Sequence, residues 1–545
     1  MNKTIKQHSW IPLILVSCAS FIITLDSTFM NVSISQVVVD LNTDVSTIQM
    51  TMAFYTLITA AFMLLSTKLQ DIVGKKRLFL IGTVLYGIGT FTAAISTSDT
   101  ILFIGWAVLE GIAGALMTPA TVSIISGTYS GEKRTFALAI ESMMVALSAA
   151  VGPLFGGIMT TFLSWRYGFA CELIIVVFIL VMQKKIPDFK PTESKGDLDI
   201  TGAIISFVGL VLFVIGILML SEDTTTSVVV IIMGIIALTI FALFEIKRKR
   251  KGKVPLLDMD LFKDRNLRSG VAIILLSELV MAGGLFAVSL FLQSVLDLNA
   301  FNTGLTTLPL TIGLLVFSVA APSLAGKLNH KTVMAIGSIL SIIGCVILSY
   351  QFRIDTTMLD LMPGMLILGA GLGFVMALST DITLINIPDK SQNNASGITT
   401  TGQTLGESMG TAIIGIILIL GVIGGISDTV DIYAPEHSAD EQYQQDIYDY
   451  FQKVGTTQEI KEQDSTIVNI ADAVVQDAMA FVMLITSILM GIIFILTLRL
   501  NDKHIKKWEF ISHFYKLFLT WKISRPRTFK PNHTILAPHT KNNIH

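Results

Sequence analysis

Residues 227–246 read SVVVIIMGIIALTIFALFEI, and the next five residues read KRKRK. A helix needs about 20 predominantly apolar residues to cross the hydrocarbon core of a bilayer. This stretch has that length, carries its one acid (Glu245) near its end, and is followed by cations of the kind that membrane proteins keep in the cytoplasm. It therefore predicts a membrane-spanning helix whose C-terminal end faces the cytoplasm.

Comparable apolar segments recur along the chain, which is predicted to be an all-α membrane protein with 14 transmembrane helices. They lie approximately at residues 11–33, 48–66, 78–97, 101–123, 136–160, 165–183, 199–220, 227–246, 269–292, 304–325, 332–350, 358–380, 397–424 and 477–498. With the N-terminus placed inside, 34 of the 38 Lys and Arg residues fall on the cytoplasmic side. This alternation supports the count and predicts a multi-pass protein of the cell membrane with both termini in the cytoplasm.

The composition excludes whole classes of function. Hydrophobic residues make up 52% and charged residues 14% of the 545 residues, against about 25% charged in an ordinary soluble domain. Because of these percentages, the chain is not expected to be a soluble enzyme, a disordered chain or a nucleic-acid binder. Its net charge of −2 does not by itself indicate a partner. Its cysteines lie far apart in apolar stretches (Cys18, Cys171 and Cys345), so neither a disulfide framework nor a metal site is expected. No Gly-Lys pair is followed by Ser or Thr, which argues against a nucleotide-binding P-loop.

Two segments are too polar to cross a membrane. Residues 425–475 form an acidic external loop in which Tyr443, Ile447 and Phe451 recur at helical spacing, which fits either a short surface helix or a disordered acidic loop. Residues 503–523 mix lysine with Trp and Phe, and they predict an interfacial helix on the anionic inner leaflet, within a basic and aromatic tail at 499–545.

Spans 1–6 and spans 9–14 carry glycines at corresponding places, in the fourth and twelfth spans and in the fifth and thirteenth. These are Gly111 and Gly114, Gly369, Gly371 and Gly373, Gly152 and Gly156, and Gly402, Gly406 and Gly410. Small residues of this kind let helices approach closely in lipid. We therefore expect an N-terminal six-helix half at 1–197, linker helices 7 and 8 at 198–252, and a C-terminal six-helix half at 253–498. Repeated halves with a site between them are typical of secondary transporters.

Five motifs resemble those of one known family. Residues 25–32 read LDSTFMNV, residues 69–77 read LQDIVGKKR, residues 152–157 read GPLFGG, residues 255–258 read PLLD and residues 394–397 read NASG. In this order and on these helices, they resemble the fourteen-helix drug:proton antiporters of the major facilitator superfamily. The resemblance covers residues 11–498, and it implies a bacterial multidrug efflux transporter that uses a proton gradient and no cofactor.

The resemblance implies roles for two of the motifs. The loop between spans 2 and 3 is implied to be a gate whose aspartate pairs with a neighbouring group, and the fifth span is implied to be a kinked helix that serves antiport. The gating loop comprises Asp71, Gly74, Lys75, Lys76 and Arg77, and the antiporter kink comprises Gly152, Pro153, Gly156 and Gly157. The plain alternatives are a run of basic residues retained inside and a packing kink without a transport role.

The most informative residues are acids deep in the apolar spans, where no Lys or Arg accompanies them. Such a charge costs roughly 2.5–3.5 kcal/mol at a helix centre. One buried glutamate could simply be protonated and bonded to nearby backbone, but several together favour sites that hold a proton or a cationic substrate. The predicted proton- and substrate-binding residues are Asp26, Asn31, Glu110, Glu141, Glu172, Glu278, Gln403 and Glu407. Glu110 and Glu172 depart from the family pattern, which usually has Gln and often Asn there, and Ala107 replaces the usual Arg.

These features favour a proton-driven exporter of lipophilic cations that works by alternating access. Its partners would be small lipophilic cations, protons and the lipid bilayer, without nucleic acid or nucleotide. The same fold could instead move a physiological solute such as an amino acid, a lipid or a siderophore, although an anionic solute would meet no buried cation. A membrane-embedded enzyme has the least support, because all eight His residues lie outside the spans and no nucleophile elbow is present.

Overall fold

The computed structural model describes residues 9–501 apart from 131, 190, 192–198, 222, 389–390, 438–439 and 453–464. Within these residues the fold is helical, and fourteen helices are long and apolar enough to cross a membrane. The first seven are α1 (Ile11–Val32), α2 (Val45–Val73), α3 (Lys75–Ala94), α4 (Asp99–Thr128), α5 (Phe136–Phe162), α6 (Arg166–Lys185) and α7 (Ile200–Leu218). The other seven are α8 (Thr224–Arg250), α9 (Arg265–Ser294), α10 (Ala300–Leu328), α11 (His330–Gln351), α12 (Met358–Leu384), α13 (Asn394–Tyr433) and α14 (Asn469–Arg499). The predicted fold class is confirmed.

Several helices begin before the apolar spans do, because polar residues cap them. Asp44 accepts the backbone N–H of Thr47 at 2.7 Å at the start of α2. Asp264 accepts that of Leu267 at 2.9 Å at the start of α9. A side-chain cap satisfies a backbone donor that the first helical turn leaves free. The helix can therefore continue into the polar region beyond the apolar span that the sequence reveals.

The segment between α13 and α14 contains a surface helix, Glu441–Gln452, which we call the loop helix. Of the two alternatives for this segment, the helix is therefore confirmed. Tyr443, Ile447 and Phe451 are all buried, because residues at this spacing share one face of a helix and pack together against the transmembrane helices.

The flanking helices extend into the predicted external loop, 425–475. The helix of α13 continues past residue 425, and Ile426 and Val430, one turn apart, are buried in the core. The helix that contains α14 begins at Ser465, before the apolar span itself. The external position of this segment stays a prediction. The interfacial helix predicted at 503–523 lies outside the described residues, as does the tail beyond residue 501.

The helices pack in two corresponding sets. In the first six, α5 packs against α1 and α4 against α2; in the last six, α13 packs against α9 and α12 against α10. Glycines make these contacts close. A Cβ on Gly156 would lie 2.5 Å from the carbonyl oxygen of Phe29, and one on Gly410 would lie 2.5 Å from that of Leu279. These contacts agree with the internal repeat, while the predicted domain boundaries stay predictions.

Two helix pairs, α2 with α13 and α5 with α10, join the first six helices to the last six. Helices α7 and α8 pack against each other, and α7 also contacts α2 and α13. At the C-terminal end of α8, Arg248 Nε lies 3.1 Å from Asp199 Oδ2, which ties this helix to the start of α7. The outer face of α8 is apolar and exposed, as Val229 and Leu243 illustrate. An apolar face of this extent suits contact with lipid.

Candidate functional site

Helix α4 changes its winding in the middle. Residues Phe103–Glu110 form a π-helical segment, a departure from α-helical hydrogen bonding that is frequent at functional sites. Gly105 lets α3 approach closely here, since a Cβ on it would lie 2.8 Å from the backbone nitrogen of Ala93. The segment carries Trp106 and ends at Glu110, and both side chains are buried.

Three of the predicted acids meet at this segment. Asp26 of α1, Glu110 of α4 and Glu172 of α6 are each 0% exposed, and one carboxylate oxygen of each lies within 4.8 Å of the other two. We call these three residues the carboxylate trio. The fold therefore gathers acids that are widely separated in sequence into one buried group.

Aromatic donors orient two members of the trio. The indole N–H of Trp106 donates to Asp26 Oδ2 at 2.6 Å, and the hydroxyl of Tyr86 donates to Glu172 Oε2 at 3.1 Å. Asp26 Oδ1, both oxygens of Glu110 and Glu172 Oε1 accept no hydrogen bond in the described structure. The bonded oxygens are thereby fixed, and the free oxygens remain as places for protons.

The described residues contain no ion pair that neutralises the trio; their ion pairs lie elsewhere, as between Arg166 and Asp40 at 3.0 Å. Two ionised carboxylates whose oxygens lie within 4.8 Å of each other repel each other by at least about 3.5 kcal/mol at an effective dielectric constant of about 20. Three simultaneous negative charges would therefore be strongly unfavourable. The arrangement suits the sharing and release of protons. Three oxygens at this spacing could also hold a hard cation, so the expected absence of a metal stays a prediction.

A small cleft lies beside the trio, between the first six and the last six helices. It is lined by Ser27, Asn31, Met52, Tyr55, Thr56, Trp106, Ala282, Glu407 and Thr411. The rings of Tyr55 and Trp106 stack with their centroids 5.6 Å apart. Asn31 donates its amide to the carbonyl oxygen of Ser27 at 3.0 Å and leaves its own buried Oδ1 without a partner. Aromatic faces, a free amide oxygen and the Glu407 carboxylate are features that suit a cation.

The remaining predicted residues lie outside the trio and the cleft lining. Glu278 of α9 and Gln403 of α13 are within hydrogen-bonding reach of each other. Glu141 of α5 accepts the hydroxyl of Ser20 at 3.0 Å. The eight predicted residues therefore divide into three that form the trio, two that line the cleft, and three that do neither. Their roles in binding stay predictions.

The predicted gating loop is a tight turn between α2 and α3. Gly74 has a φ of +102°, a region that favours glycine. The ammonium group of Lys76 donates to the carbonyl oxygen of Ile186 at 2.8 Å, so the turn is tied to the segment that follows α6. Asp71 lies half-buried in the last turn of α2, and Arg77 is exposed. The gating role of Asp71, Gly74, Lys75, Lys76 and Arg77 stays a prediction.

The predicted antiporter kink lies at the contact of α5 with two other helices. Pro153 stands inside α5. Gly152 and Gly156 face α1, whereas a Cβ on Gly157 would lie 2.6 Å from the carbonyl oxygen of Ala300 in α10. This glycine face therefore packs α5 against both sets of helices at once, and its part in antiport stays a prediction.

Hydrogen bonds also join the two sets at the end of the bundle where α1 leads into α2. The backbone N–H of Ser35 donates to Gln293 Oε1 at 3.1 Å. The backbone N–H and the hydroxyl of Ser46 both donate to Gln452 Oε1 of the loop helix, at 3.2 Å each. The loop helix, which belongs to the last six helices, thus holds the start of α2.

Three aromatic residues of the site have no sequence signal that separates them from ordinary core side chains: Tyr55, Tyr86 and Trp106. Large buried aromatics are common in any core, and only their polar ends reveal a function. The one available hint is that Trp106 precedes Glu110 by four residues, a spacing that places two side chains on the same side of a helix.

Comparisons with known proteins agree with this architecture. The sequence model of the Major Facilitator Superfamily matches residues 16–411. The multidrug efflux pump LfrA of Mycolicibacterium smegmatis is 25% identical over 413 residues, which cover 75% of this chain and 81% of LfrA. The quinolone resistance protein NorB of Staphylococcus aureus is 29% identical over 394 residues, which cover 72% of this chain and 83% of NorB.

The fold is also similar to a solved structure, a bacterial homologue of the human lysosomal transporter Spinster in an inward-facing and unoccupied conformation. The TM-score is 0.63 at 13% sequence identity, over 92% of this chain and 98% of that one. Together with the fourteen apolar helices, these matches identify a multi-pass membrane protein and confirm the superfamily that the sequence motifs indicate.

Proposed function

We propose that this chain, which belongs to the Major Facilitator Superfamily, exports lipophilic cationic compounds in exchange for protons. The observation that carries the proposal is the position of the carboxylate trio directly beside the cleft. Trp106 lines the cleft and also bonds to Asp26, so one residue contacts both places. A proton site and a compound site that share a wall can influence each other's occupancy.

The exchange of protons is supported by the negative charge that the three carboxyl groups of the trio would carry if ionised. The described structure offers the trio no basic partner, so protons are the simplest means of balancing three carboxyl groups. Release of one of these protons leaves a carboxylate that Trp106 or Tyr86 can stabilise. Such a group can bind a proton on one side of the membrane and lose it on the other.

The substrate part is supported by the cleft lining. Tyr55 and Trp106 offer ring faces that attract cations, and Glu407 offers a negative charge. The free space inside the cleft, about 20 Å³, is far smaller than the roughly 300–1,000 Å³ of sites that hold drug-sized ligands. We therefore infer that it enlarges when the two sets of helices move apart. The names of two relatives, the multidrug efflux pump LfrA and the quinolone resistance protein NorB, agree with export of such compounds.

Alternating access is supported by the contacts between the two sets. We infer that the end where Ser46 meets Gln452 is the external end, because the Lys- and Arg-rich turns lie at the opposite one. With this orientation both termini are cytoplasmic, in a bacterial cell membrane. The described state is then one in which the external end is held together, and export requires that this contact break in each cycle.

The energy source in this proposal is the proton gradient, without a cofactor. A proton that returns down a membrane potential of 100 mV supplies about 2.3 kcal/mol, before any pH difference is added. Exchange of one proton for one monovalent cation moves no net charge, so this potential contributes only if more than one proton returns for each cation. The pH difference drives the one-for-one exchange, and each pH unit sustains roughly a tenfold gradient, since tenfold costs about 1.4 kcal/mol.

The test uses purified protein in proteoliposomes whose lumen is acidic, with a fluorescent lipophilic cation outside. We expect protein-dependent accumulation of the dye in the lumen, abolished by a protonophore and unchanged when Na⁺ is replaced by an organic cation. Absence of dye movement by folded protein would overturn the proposal and direct the search to physiological solutes.

The role of Glu407 in binding a cation is tested with the Glu407→Gln variant. Removal of a charged hydrogen-bonding partner should weaken dye binding roughly tenfold. Asp40→Asn is the control, because it removes an acid that bonds to Trp165 and does not line the cleft. Equal dye affinity in both variants would show that Glu407 does not bind the compound.

A further inference from the structure

Trp106 has two contacts that together join the cleft to the carboxylate trio. One face of its ring stacks on Tyr55, with the ring planes 24° apart, and both residues line the cleft. Its indole N–H reaches in the other direction and donates to Asp26 Oδ2 at 2.6 Å. The residue therefore forms the wall between the cleft and the carboxylate trio.

We propose that Trp106 both recognises the exported compound through its ring and determines, through its indole N–H, which oxygen of Asp26 carries the proton. This inference rests on the function proposed above and assigns the coupling between compound and proton to one residue. It predicts that planar or aromatic cations, which can lie against the ring, are the preferred substrates.

The position of the proton follows from hydrogen-bond chemistry. An indole nitrogen is a donor only, so a proton on Oδ2 would point at the N–H hydrogen of Trp106. Asp26 therefore takes its proton on Oδ1, which has no partner and belongs to the carboxyl group that faces Glu110 and Glu172. Transfer within the trio breaks the Oδ1–H bond and forms an O–H bond on a free glutamate oxygen, without any other reactant.

The coupling follows from the rigidity of the indole. The ring face and the N–H belong to one planar group, so a compound that turns the ring also turns the N–H relative to Oδ2. Trp106 lies on the π-helical segment Phe103–Glu110, and such segments are frequent at functional sites. Binding in the cleft thus changes the hydrogen bond from Trp106 to Asp26 Oδ2. Loss of this hydrogen bond alters how readily the trio releases its proton.

The experiment compares Trp106→Phe with Trp106→Leu in the dye-transport assay. Phe keeps a ring and loses the N–H, so KM should change little while the maximal rate falls at least about tenfold, as expected for loss of a hydrogen bond to a charged group. Leu loses the ring as well, so KM should also rise about tenfold. Trp165→Phe is the matched control, because Trp165 is equally buried and donates its N–H to Asp40 at 3.0 Å, away from the cleft.

The inference is overturned if Trp106→Phe transports as well as Trp165→Phe, or if Trp106→Leu retains the KM of the wild type. These outcomes differ from failure of the proposed function, in which the wild-type protein itself shows no proton-driven export.

A second measurement applies even if the substitutions at Trp106 impair folding. A protein in which Trp10, Trp165, Trp508 and Trp521 are replaced by Phe retains Trp106 as its one indole fluorophore. We expect a transported aromatic cation to quench this emission in a saturable manner. Unchanged emission at concentrations that saturate transport would overturn the role of the ring.

Discussion

The substitution Asp26→Asn tests the centre of the proposed mechanism with little disturbance of the fold. Asparagine has the same shape and keeps a carbonyl oxygen that can accept the N–H of Trp106, now bonded to Asp26 Oδ2 at 2.6 Å. Its amide nitrogen would take the place of Oδ1 and donate to a free oxygen of Glu110 or Glu172. The variant should therefore fold, with the position of the carboxyl group occupied by a side chain that cannot carry a proton.

The expected magnitude follows from the energy of one proton. Exchange of one proton for one monovalent cation moves no net charge, so the pH difference drives it, and each pH unit supplies about 1.4 kcal/mol and can sustain roughly a tenfold gradient of the dye. If Asp26 carries the coupled proton, Asp26→Asn reduces this gradient to about one, although equilibrium binding of the dye should remain.

The assay is dye accumulation in proteoliposomes with an imposed pH difference and no membrane potential, together with dye binding when no pH difference is imposed. Asp40→Asn is the control, because Asp40 also accepts an indole N–H, that of Trp165 at 3.0 Å. This second contact between an indole N–H and an aspartate lies away from the trio. An Asp26→Asn protein that maintains the wild-type gradient would refute the assignment of the coupled proton to Asp26.

Three further predictions concern other parts of the structure. Glu110→Gln should stabilise the protein by on the order of 1–3 kcal/mol in thermal unfolding, because it relieves repulsion within the trio. It should also lower proton-driven export, and unchanged export would make Glu110 dispensable. Gly74→Ala should cost about 1–2 kcal/mol of stability, since its φ of +102° disfavours a Cβ, whereas Gly326→Ala, with open space around it, should not. Cross-linking of Ser46→Cys to Gln452→Cys in a protein free of other cysteines should stop transport until the link is reduced, and transport by the linked protein would refute the need for this end to open.

The fourteen helices could be predicted from the sequence because the bilayer imposes a length on each span. Residues 227–246 illustrate this, since a continuous apolar run with basic residues at its end has few alternatives. The helix ends could not be predicted as well, because side-chain caps such as Asp44 extend a helix beyond the apolar run. Membrane physics thus determines how many helices there are, and local polar contacts determine where they stop.

The candidate site could be predicted only in part. Burial of an acid follows from its position in an apolar span, so Asp26, Glu110 and Glu172 could each be predicted separately to be buried. Their meeting depends on how α1, α4 and α6 pack, which no spacing within one helix reveals. The π-helical winding of α4 is also a tertiary feature, since residues Phe103–Glu110 contain no proline. For the same reason Glu278, equally deep by sequence, falls outside the trio.

The departures from the family pattern gain a common explanation once the trio is seen. Glu110 and Glu172 stand where the resemblance implies Gln and often Asn, and the fold places both carboxyl groups beside Asp26. Ala107, fully buried, removes the basic residue that the pattern usually has nearby. Each change alone would look like a loss of the usual arrangement. Under the proposed function, protons balance the charge of the trio in place of a buried arginine. A carboxyl group can release its proton during transport, whereas an arginine in a protein stays protonated. The number of protons bound at this site should therefore vary during transport, and loss of proton-driven export in the Asp26 and Glu110 variants would support this.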